Sequence, residues 1–191
     1  MCLAATPSTM ILNTLELPIK CENNDLVLST AVYVPADYNA VYKYGEQADF
    51  VDYVCLMAYD QHWGQASGEG SVAALNWVQE SIDNTLAEGV PANQLVLGMP
   101  FYTRLWKLTP NSDENATEIT YRIERENLGL TSAENWMQNN IAKPEWLDDC
   151  AQWYGETVKN GITNKSYRKS ANKQGIRRNK KNYKKRDRCG C

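Results

Sequence analysis

Three short apolar runs constrain the fold of this chain most strongly. They are Leu26–Val34, Asp52–Tyr59 and Gln94–Tyr102, and each is rich in aliphatic residues with little polar alternation. Runs of this length and composition are typical of parallel strands buried on both faces of a sheet. We therefore predict three buried parallel strands.

The segments around these runs have a helical pattern. Within Ser71–Glu88, apolar residues recur at helical spacing and Gly89 follows as a stop signal. Thr9–Asn23 also has helical character, although Pro18 is expected to break or kink a helix there. Helices alternating with strands predict an α/β fold.

After Trp106 the pattern changes to that of a small α+β segment. Thr117–Ile123 alternates like an antiparallel strand, and Thr131–Ile141 has the features of a short helix. The Asn160-Gly161 pair predicts the turn of a hairpin, because both positions tolerate positive φ angles. We therefore divide the chain into residues 1–107 (α/β), 108–163 (α+β) and 164–191 (a tail).

The tail differs from the rest of the chain in charge. The 191 residues have a formal net charge of −3, but residues 159–191 contain thirteen Lys or Arg and one acid, Asp187. Ile176 is the only large aliphatic residue beyond about Lys165, so this stretch is expected to be disordered. Its charge could attract anions, but with two aromatic residues, Tyr167 and Tyr183, no specific nucleic-acid partner is expected.

Composition excludes several classes of protein. No run approaches the length of a membrane-spanning helix, and the first twenty residues do not form a recognisable secretory signal. The six cysteines include no C-x-x-C pair and there is a single histidine, so neither a disulfide scaffold, a metal centre nor a cofactor is expected. The composition of residues 1–191 therefore predicts a globular protein with no membrane partner.

The candidate chemistry lies where the second and third runs end, since reactive groups gather at the carboxyl ends of parallel strands. Met57 and Tyr59 would share a face, with Asp60 turning into the mouth of the site and Trp63 following. At the end of the third run, Tyr102 and Arg104 would share a face. Aromatic rings together with carboxylate, phenol and guanidinium groups suggest sugar recognition. A phosphate site would need a glycine-rich loop at a helix start, which is absent from both strand ends.

These residues resemble a known family. The segment V-D-Y-V-C-L-M-A-Y-D (residues 51–60) resembles the M-x-Y-D strand of family 18 glycoside hydrolases, which are chitinase-like enzymes with a (β/α)8 TIM barrel. The segment L-V-L-G-M-P-F-Y-T-R-L-W (95–106) is similar to the G-x-P-x-Y-x-R strand that follows it. On that resemblance the three runs are barrel strands five to seven of an incomplete barrel, and residues 108–163 are an α+β insertion.

The resemblance implies a mechanism and roles for particular residues. In the family, a glutamic acid protonates the glycosidic oxygen while the substrate's own 2-acetamido carbonyl attacks the anomeric carbon, in a substrate-assisted retaining hydrolysis. Tyr59 would then hold the acetamido group and Asp60 would bind the same sugar. Met57, Trp63, Tyr102 and Arg104 would contact the glycan. The expected partner is a polysaccharide containing N-acetylglucosamine, either chitin or peptidoglycan, and members of this kind are commonly extracellular or associated with the cell wall or spore.

The family's D-x-x-D-x-D-x-E motif, which carries the acid, does not occur in this chain. We therefore expect a product truncated at its start, with a change of reading frame from about Asn164, and little hydrolase activity. The alternatives are a glycan-binding protein without catalysis and an anion-binding protein that acts through its tail. Structural interpretations also remain open: Met57 and Tyr59 as core residues, Asp60 as the cap of the next loop, and Arg104 as the partner of a nearby acid.

Overall fold

The computed structural model describes residues 16–111 and 120–169. These residues form two compact units. The first contains residues 16–59 and 78–99, and the second contains residues 60–77, 100–111 and 120–169.

The first unit contains a parallel sheet, as the apolar runs predict. Its strands are β1 (Ser29–Val32), β2 (Tyr53–Leu56) and β3 (Leu95–Leu97), in the order β1-β2-β3 with both pairs parallel. Each strand is shorter than the run that predicts it. Within the described residues this sheet is open and does not close into a barrel.

Burial of the parallel sheet differs from the prediction. Val54 and Leu56 of β2 are fully buried, whereas Tyr53 on the other face is 44% exposed and Val96 of β3 is 43% exposed. The prediction of burial on both faces is therefore wrong for the described residues. The physical reason is that side chains alternate between the two faces of a strand, and only one face of β2 is covered here.

Helices alternate along the chain with the strands of the parallel sheet. Residues 16–22 (α1) are helical, Pro18 included, and α2 spans Tyr44–Ala48 after a 3₁₀ turn at Asp37–Tyr42. The predicted amphipathic helix is confirmed as α3, Leu75–Ala87, which buries Ser81 and Thr85.

The second unit contains an antiparallel sheet. Its strands are β4 (Tyr102–Pro110), β5 (Tyr121–Gly129), β6 (Glu145–Leu147), β7 (Gln152–Lys159) and β8 (Ile162–Lys169). They lie in the order β5-β4-β8-β7-β6. Helix α4 (Leu130–Asn140) packs against β4, β5 and β8 and buries Ala133 and Met137, in agreement with the predicted helix.

The run Gln94–Tyr102 is not one strand. β3 ends at Leu97, and Tyr102 begins β4, which pairs with β5 and β8 in the other sheet. Gly98 and Pro100 separate the two strands, and such residues weaken a continuous ladder. The α+β segment therefore begins six residues before the predicted boundary at residue 108.

The predicted hairpin is confirmed. β7 and β8 are joined at Asn160 and Gly161, whose φ angles are 52° and 76°. The predicted start of the disordered tail at residue 164 is wrong for residues 164–169, because they complete β8 between β4 and β7, with Ser166 fully buried. The remaining tail and residues 117–119 of the predicted strand Thr117–Ile123 lie outside the described residues.

Candidate functional site

Asp60 has a left-handed backbone conformation four residues after β2 ends at Leu56. Its φ angle is 63°, a region that aspartate tolerates better than most residues because its short side chain can form local hydrogen bonds. The Asp60 side chain is 44% exposed. The carboxylate is therefore accessible to a ligand although its backbone is constrained.

Tyr102 and Arg104 of β4 both donate hydrogen bonds to Asp60. Arg104 Nη2 lies 2.7 Å from Asp60 Oδ1, and the Tyr102 hydroxyl donates to the same oxygen. Arg104 Nη1 donates to the His62 carbonyl at 2.6 Å. Among the hydrogen bonds of the described residues, none ends on Asp60 Oδ2. Two donors of β4 thus hold one carboxylate oxygen of a side chain that is 44% exposed.

The Arg104 guanidinium is buried, with its side chain 4% exposed. Its Cζ lies 5.6 Å from the centroid of the Tyr102 ring and 6.0 Å from that of Trp106, within the range of a cation–π contact. Its Nε is buried and has no hydrogen-bond partner among the described residues. The buried charge is therefore compensated by Asp60, a backbone carbonyl and two aromatic rings.

Trp106 is a member of this cluster that the sequence interpretation did not assign to the site. It is fully buried, and its Nε1 donates to the Gly70 carbonyl at 2.8 Å. Tyr102, Arg104 and Trp106 are spaced two residues apart on β4 and so share one face. That spacing was visible in the sequence and could have identified Trp106.

Residues 60–70, here called the 60–70 loop, are held by hydrogen bonds within the loop and to the sheet. Ser67 Oγ accepts from the backbone N–H groups of Trp63 and Gly64, and its carbonyl lies 2.9 Å from His62 Nδ1. The Gln65 side chain donates to the Tyr121 carbonyl and accepts from Ile123 N–H on β5. This ordered loop leaves Trp63 half-exposed.

Met57 and Tyr59 belong to the first unit. Met57 N–H donates to the Val32 carbonyl at 2.9 Å. A Cβ placed on Gly98 would lie 3.3 Å from Tyr59 Cε1, so the Tyr59 ring lies against the Gly98 backbone. Both residues follow the end of β2, which stops at Leu56, and their binding roles stay predictions.

The structure thus brings Asp60, Tyr102 and Arg104 into direct contact, here called the carboxylate cluster. Among the described residues, no group of three or more His, Cys, Asp or Glu side chains is arranged to hold a metal ion. No helix within residues 16–111 and 120–169 is long and apolar enough to cross a membrane.

Proteins similar to this chain are glycosylases and chitinases. The uncharacterized glycosylase YvbX of Bacillus subtilis is 31% identical over 101 residues, which are 48% of this chain and 28% of that protein. The sporulation-specific glycosylase ydhD of Bacillus subtilis, described in its structure as putative, has a TM-score of 0.70 at 20% identity, covering 92% of this chain and 57% of that one. The C-terminal domain of a putative chitinase from Desulfitobacterium hafniense has a TM-score of 0.71 at 18% identity, covering 86% and 49%.

The fold and the sequence matches together define a glycosidase class of protein. The model of glycosyl hydrolases family 18 matches residues 9–185, and the chain belongs to that family. The chain spans about half the length of the two solved structures and about a quarter of YvbX. Its described residues form a partial α/β fold of a family whose members have a (β/α)8 barrel.

Proposed function

We propose that this chain binds glycans containing N-acetylglucosamine through Tyr59, Asp60, Tyr102 and Arg104, with Met57 and Trp63 as further contacts. The observation that carries the proposal is the carboxylate cluster, in which Arg104 and Tyr102 fix Asp60 Oδ1 while the Asp60 side chain is 44% exposed. A carboxylate held in this way can accept hydrogen bonds from a sugar hydroxyl or amide N–H without having to be ordered first.

Arg104 acts in this proposal as a positioning residue. Its guanidinium is only 4% exposed, and it contacts Asp60 and the His62 carbonyl simultaneously. The rigid fork of donors fixes the carboxylate relative to the 60–70 loop. The groups that contact the glycan directly are then the Asp60 carboxylate, the rings of Tyr59, Tyr102 and Trp63, and the two tyrosine hydroxyls.

In the complete family enzyme we propose substrate-assisted retaining hydrolysis. The acetamido carbonyl oxygen forms a bond to the anomeric carbon as the glycosidic C–O bond breaks, and the leaving oxygen takes a proton from a glutamic acid. Tyr59 would orient the acetamido group, which raises the effective concentration of the internal nucleophile. Since residues 1–191 contain no D-x-x-D-x-D-x-E motif, we propose at most trace hydrolysis by this chain.

A second candidate function is glycan binding without catalysis. It is favoured by the same absence of the acid motif in residues 1–191, together with a carboxylate cluster that needs no acid in order to bind a sugar. Release of a chromophore from an N-acetylglucosamine oligomer glycoside by the purified chain tests both statements. Trace release is expected from the first function and none from the second, and turnover at ordinary glycosidase rates would contradict both.

The natural glycan is chitin or peptidoglycan, and we propose peptidoglycan at the cell wall or spore. The support is the sequence similarity to ydhD, which is described as a putative sporulation-specific glycosylase. Pull-down on insoluble chitin and on peptidoglycan tests this proposal, using the chain, its Tyr59→Phe variant and a matched Tyr53→Phe control. We expect the chain to be retained on peptidoglycan, and we expect Tyr59→Phe to weaken this retention while Tyr53→Phe leaves it unchanged. Equal retention of all three proteins would contradict a role for Tyr59.

A further inference from the structure

A cavity lies within the antiparallel unit, away from the carboxylate cluster. Its volume is about 390 Å³, which falls within the range of roughly 300–1,000 Å³ found for sites that bind small ligands. The 60–70 loop and strands β4, β5, β7 and β8 contribute its walls. The lining residues are Gln65, Glu69, Leu108, Thr120, Tyr121, Ile123, Glu156, Thr163 and Lys165.

The cavity and the carboxylate cluster occupy one face of the same sheet. Leu108 follows Arg104 by four residues on β4, so the two side chains share a face about 13 Å apart at the usual rise of a strand. Trp106 lies between them and pairs with Lys165 of β8, while Leu108 pairs with Thr163 and Ile123. Residues paired across strands point to the same side, which places the cavity on the face that carries Arg104.

The cavity wall formed by the 60–70 loop is fixed before any ligand binds. The Gln65 side chain bonds to the backbone of β5, with distances of 3.1 Å to the Tyr121 carbonyl and 2.7 Å from Ile123 N. Glu69, near the other end of the loop, forms an ion pair with Lys165 at 3.0 Å. A preformed wall reduces the entropy lost when a ligand is ordered.

The polar groups of the cavity are both donors and acceptors. Lys165 Nζ lies 3.0 Å from Glu69 Oε1 and 3.6 Å from Glu156 Oε2, so the cation is already compensated by two carboxylates. Burial alone would lower the pKa of Lys165, but the hydrogen bond and charge of Glu69 outweigh it and raise that pKa. Because the Lys165 charge is already compensated, the row of carboxylate, ammonium and carboxylate groups can form hydrogen bonds with adjacent hydroxyl groups. It offers no excess charge to attract a strongly charged ligand.

The remaining lining adds an apolar and aromatic surface. Tyr121 is 38% exposed beside Ile123 and Leu108, and Thr163 supplies a hydroxyl group. A sugar ring has a face of C–H bonds, which stacks on an aromatic ring, and an edge of hydroxyl groups, which forms hydrogen bonds. The exposed Tyr121 ring and the polar groups beside it match these two surfaces.

We propose that this cavity is a second glycan subsite, which binds one neutral, hydroxyl-rich sugar residue. The proposal rests on the glycan-binding function proposed above and extends it to a longer oligosaccharide.

Calorimetric titration with a hexamer of N-acetylglucosamine tests the subsite. Tyr121→Ala removes the ring and Thr163→Val removes a hydroxyl at almost constant shape, and Tyr38→Ala is the control because Tyr38 is 81% exposed in the other unit. Each cavity variant is expected to weaken binding by about fivefold or more, and the control to leave it unchanged. Melting curves by circular dichroism establish that each variant is folded.

Asp60→Asn in the same titration separates this proposal from the proposed function. If Asp60→Asn weakens binding while both cavity variants bind like the unaltered chain, the subsite is overturned and the carboxylate cluster stands. If only the cavity variants weaken binding, the subsite stands and the cluster is overturned. If the unaltered chain does not bind the hexamer, both proposals are overturned.

Discussion

Arg104 Nη2 lies 2.7 Å from Asp60 Oδ1, and this ion pair joins a buried cation to a half-exposed carboxylate. The same guanidinium donates to the His62 carbonyl, so one side chain fixes both the charge and the start of the 60–70 loop. Asp60 has a positive φ angle and Arg104 is buried, so each residue is restricted by its own surroundings. Their contact is therefore a defined geometry and not a flexible surface pair.

Arg104→Lys is expected to destabilise the fold by loosening the contact between Asp60 and the 60–70 loop. A single ammonium group cannot reproduce the planar fork that reaches Asp60 and His62 together. We expect a loss of about 1.5–3 kcal/mol in the free energy of unfolding, the usual range for a hydrogen bond to a charged group, measured by urea denaturation. Arg122→Lys is the control, because Arg122 pairs with Glu124 at the surface. Equal effects of the two substitutions would contradict the positioning role.

Gly70→Ala is expected to disrupt the 60–70 loop. The added Cβ would lie 2.4 Å from His62 Cδ2, and the His62 ring is itself held at 2.9 Å from the Ser67 carbonyl. We expect a loss of about 1–3 kcal/mol in the free energy of unfolding, the usual cost of overpacking. Gly129→Ala is the matched control, since nothing lies within 4 Å of its Cβ position. A Gly70→Ala variant as stable as Gly129→Ala would show that the loop yields easily.

Gly161→Ala is expected to destabilise the β7–β8 hairpin. Gly161 has a φ of 76°, which a residue with a Cβ adopts only at a cost of about 1 kcal/mol. Asn160→Gly is the matched control, because glycine also accepts the φ of 52° at that position. Thermal melting checks the difference, and two variants with the same melting temperature would contradict the turn geometry.

The ion pair of Glu69 and Lys165 is expected to make stability depend on pH. Burial raises the pKa of Glu69, but the Lys165 hydrogen bond outweighs it, with help from a backbone hydrogen bond and the Lys165 charge, and lowers that pKa overall. A lowered carboxyl pKa stabilises the fold above the unfolded value, about 4.3, and this contribution is lost as the pH falls through the folded value.

Glu69→Gln should therefore flatten the acid limb of the stability curve below about pH 5. The measurement is the urea midpoint between neutral and acid pH, with Glu124→Gln as a control of the same chemistry at a more exposed site. An unchanged acid limb in Glu69→Gln would contradict the lowered pKa.

The sequence predicts the parallel sheet because continuous apolar runs leave few alternatives to a buried strand. It also predicts α3, α4 and the hairpin, whose periodicity and turn residues are local signals. The transfer of Tyr102 into a second sheet was not predictable from periodicity, since the apolar pattern continues from Leu97 across Gly98 and Pro100. β8 was hidden by its basic residues: Lys165 and Arg168 are part-buried and paired with Glu69 and Glu134, and these partners are distant in sequence.

The candidate site was predictable only where it depends on local sequence patterns. Residues two apart on β4 share a face whichever sheet contains the strand, so the proximity of Tyr102 and Arg104 is a local property. The contact of Arg104 with the His62 carbonyl depends on the path of the 60–70 loop, which no local pattern specifies. The support of the loop by Trp106 and Gln65 depends on tertiary pairing in the same way.

Calorimetric titration of a short N-acetylglucosamine oligomer into the chain and into Asp60→Asn tests the central claim most directly. Asparagine tolerates the positive φ of this position and keeps an oxygen for Arg104, so the fold is retained while the carboxylate charge is lost. The expected result is binding by the unaltered chain that Asp60→Asn weakens by about tenfold or more, while the exposed control Asp149→Asn leaves it unchanged. Equal affinity for the unaltered chain and Asp60→Asn would contradict the claim that this carboxylate binds the sugar.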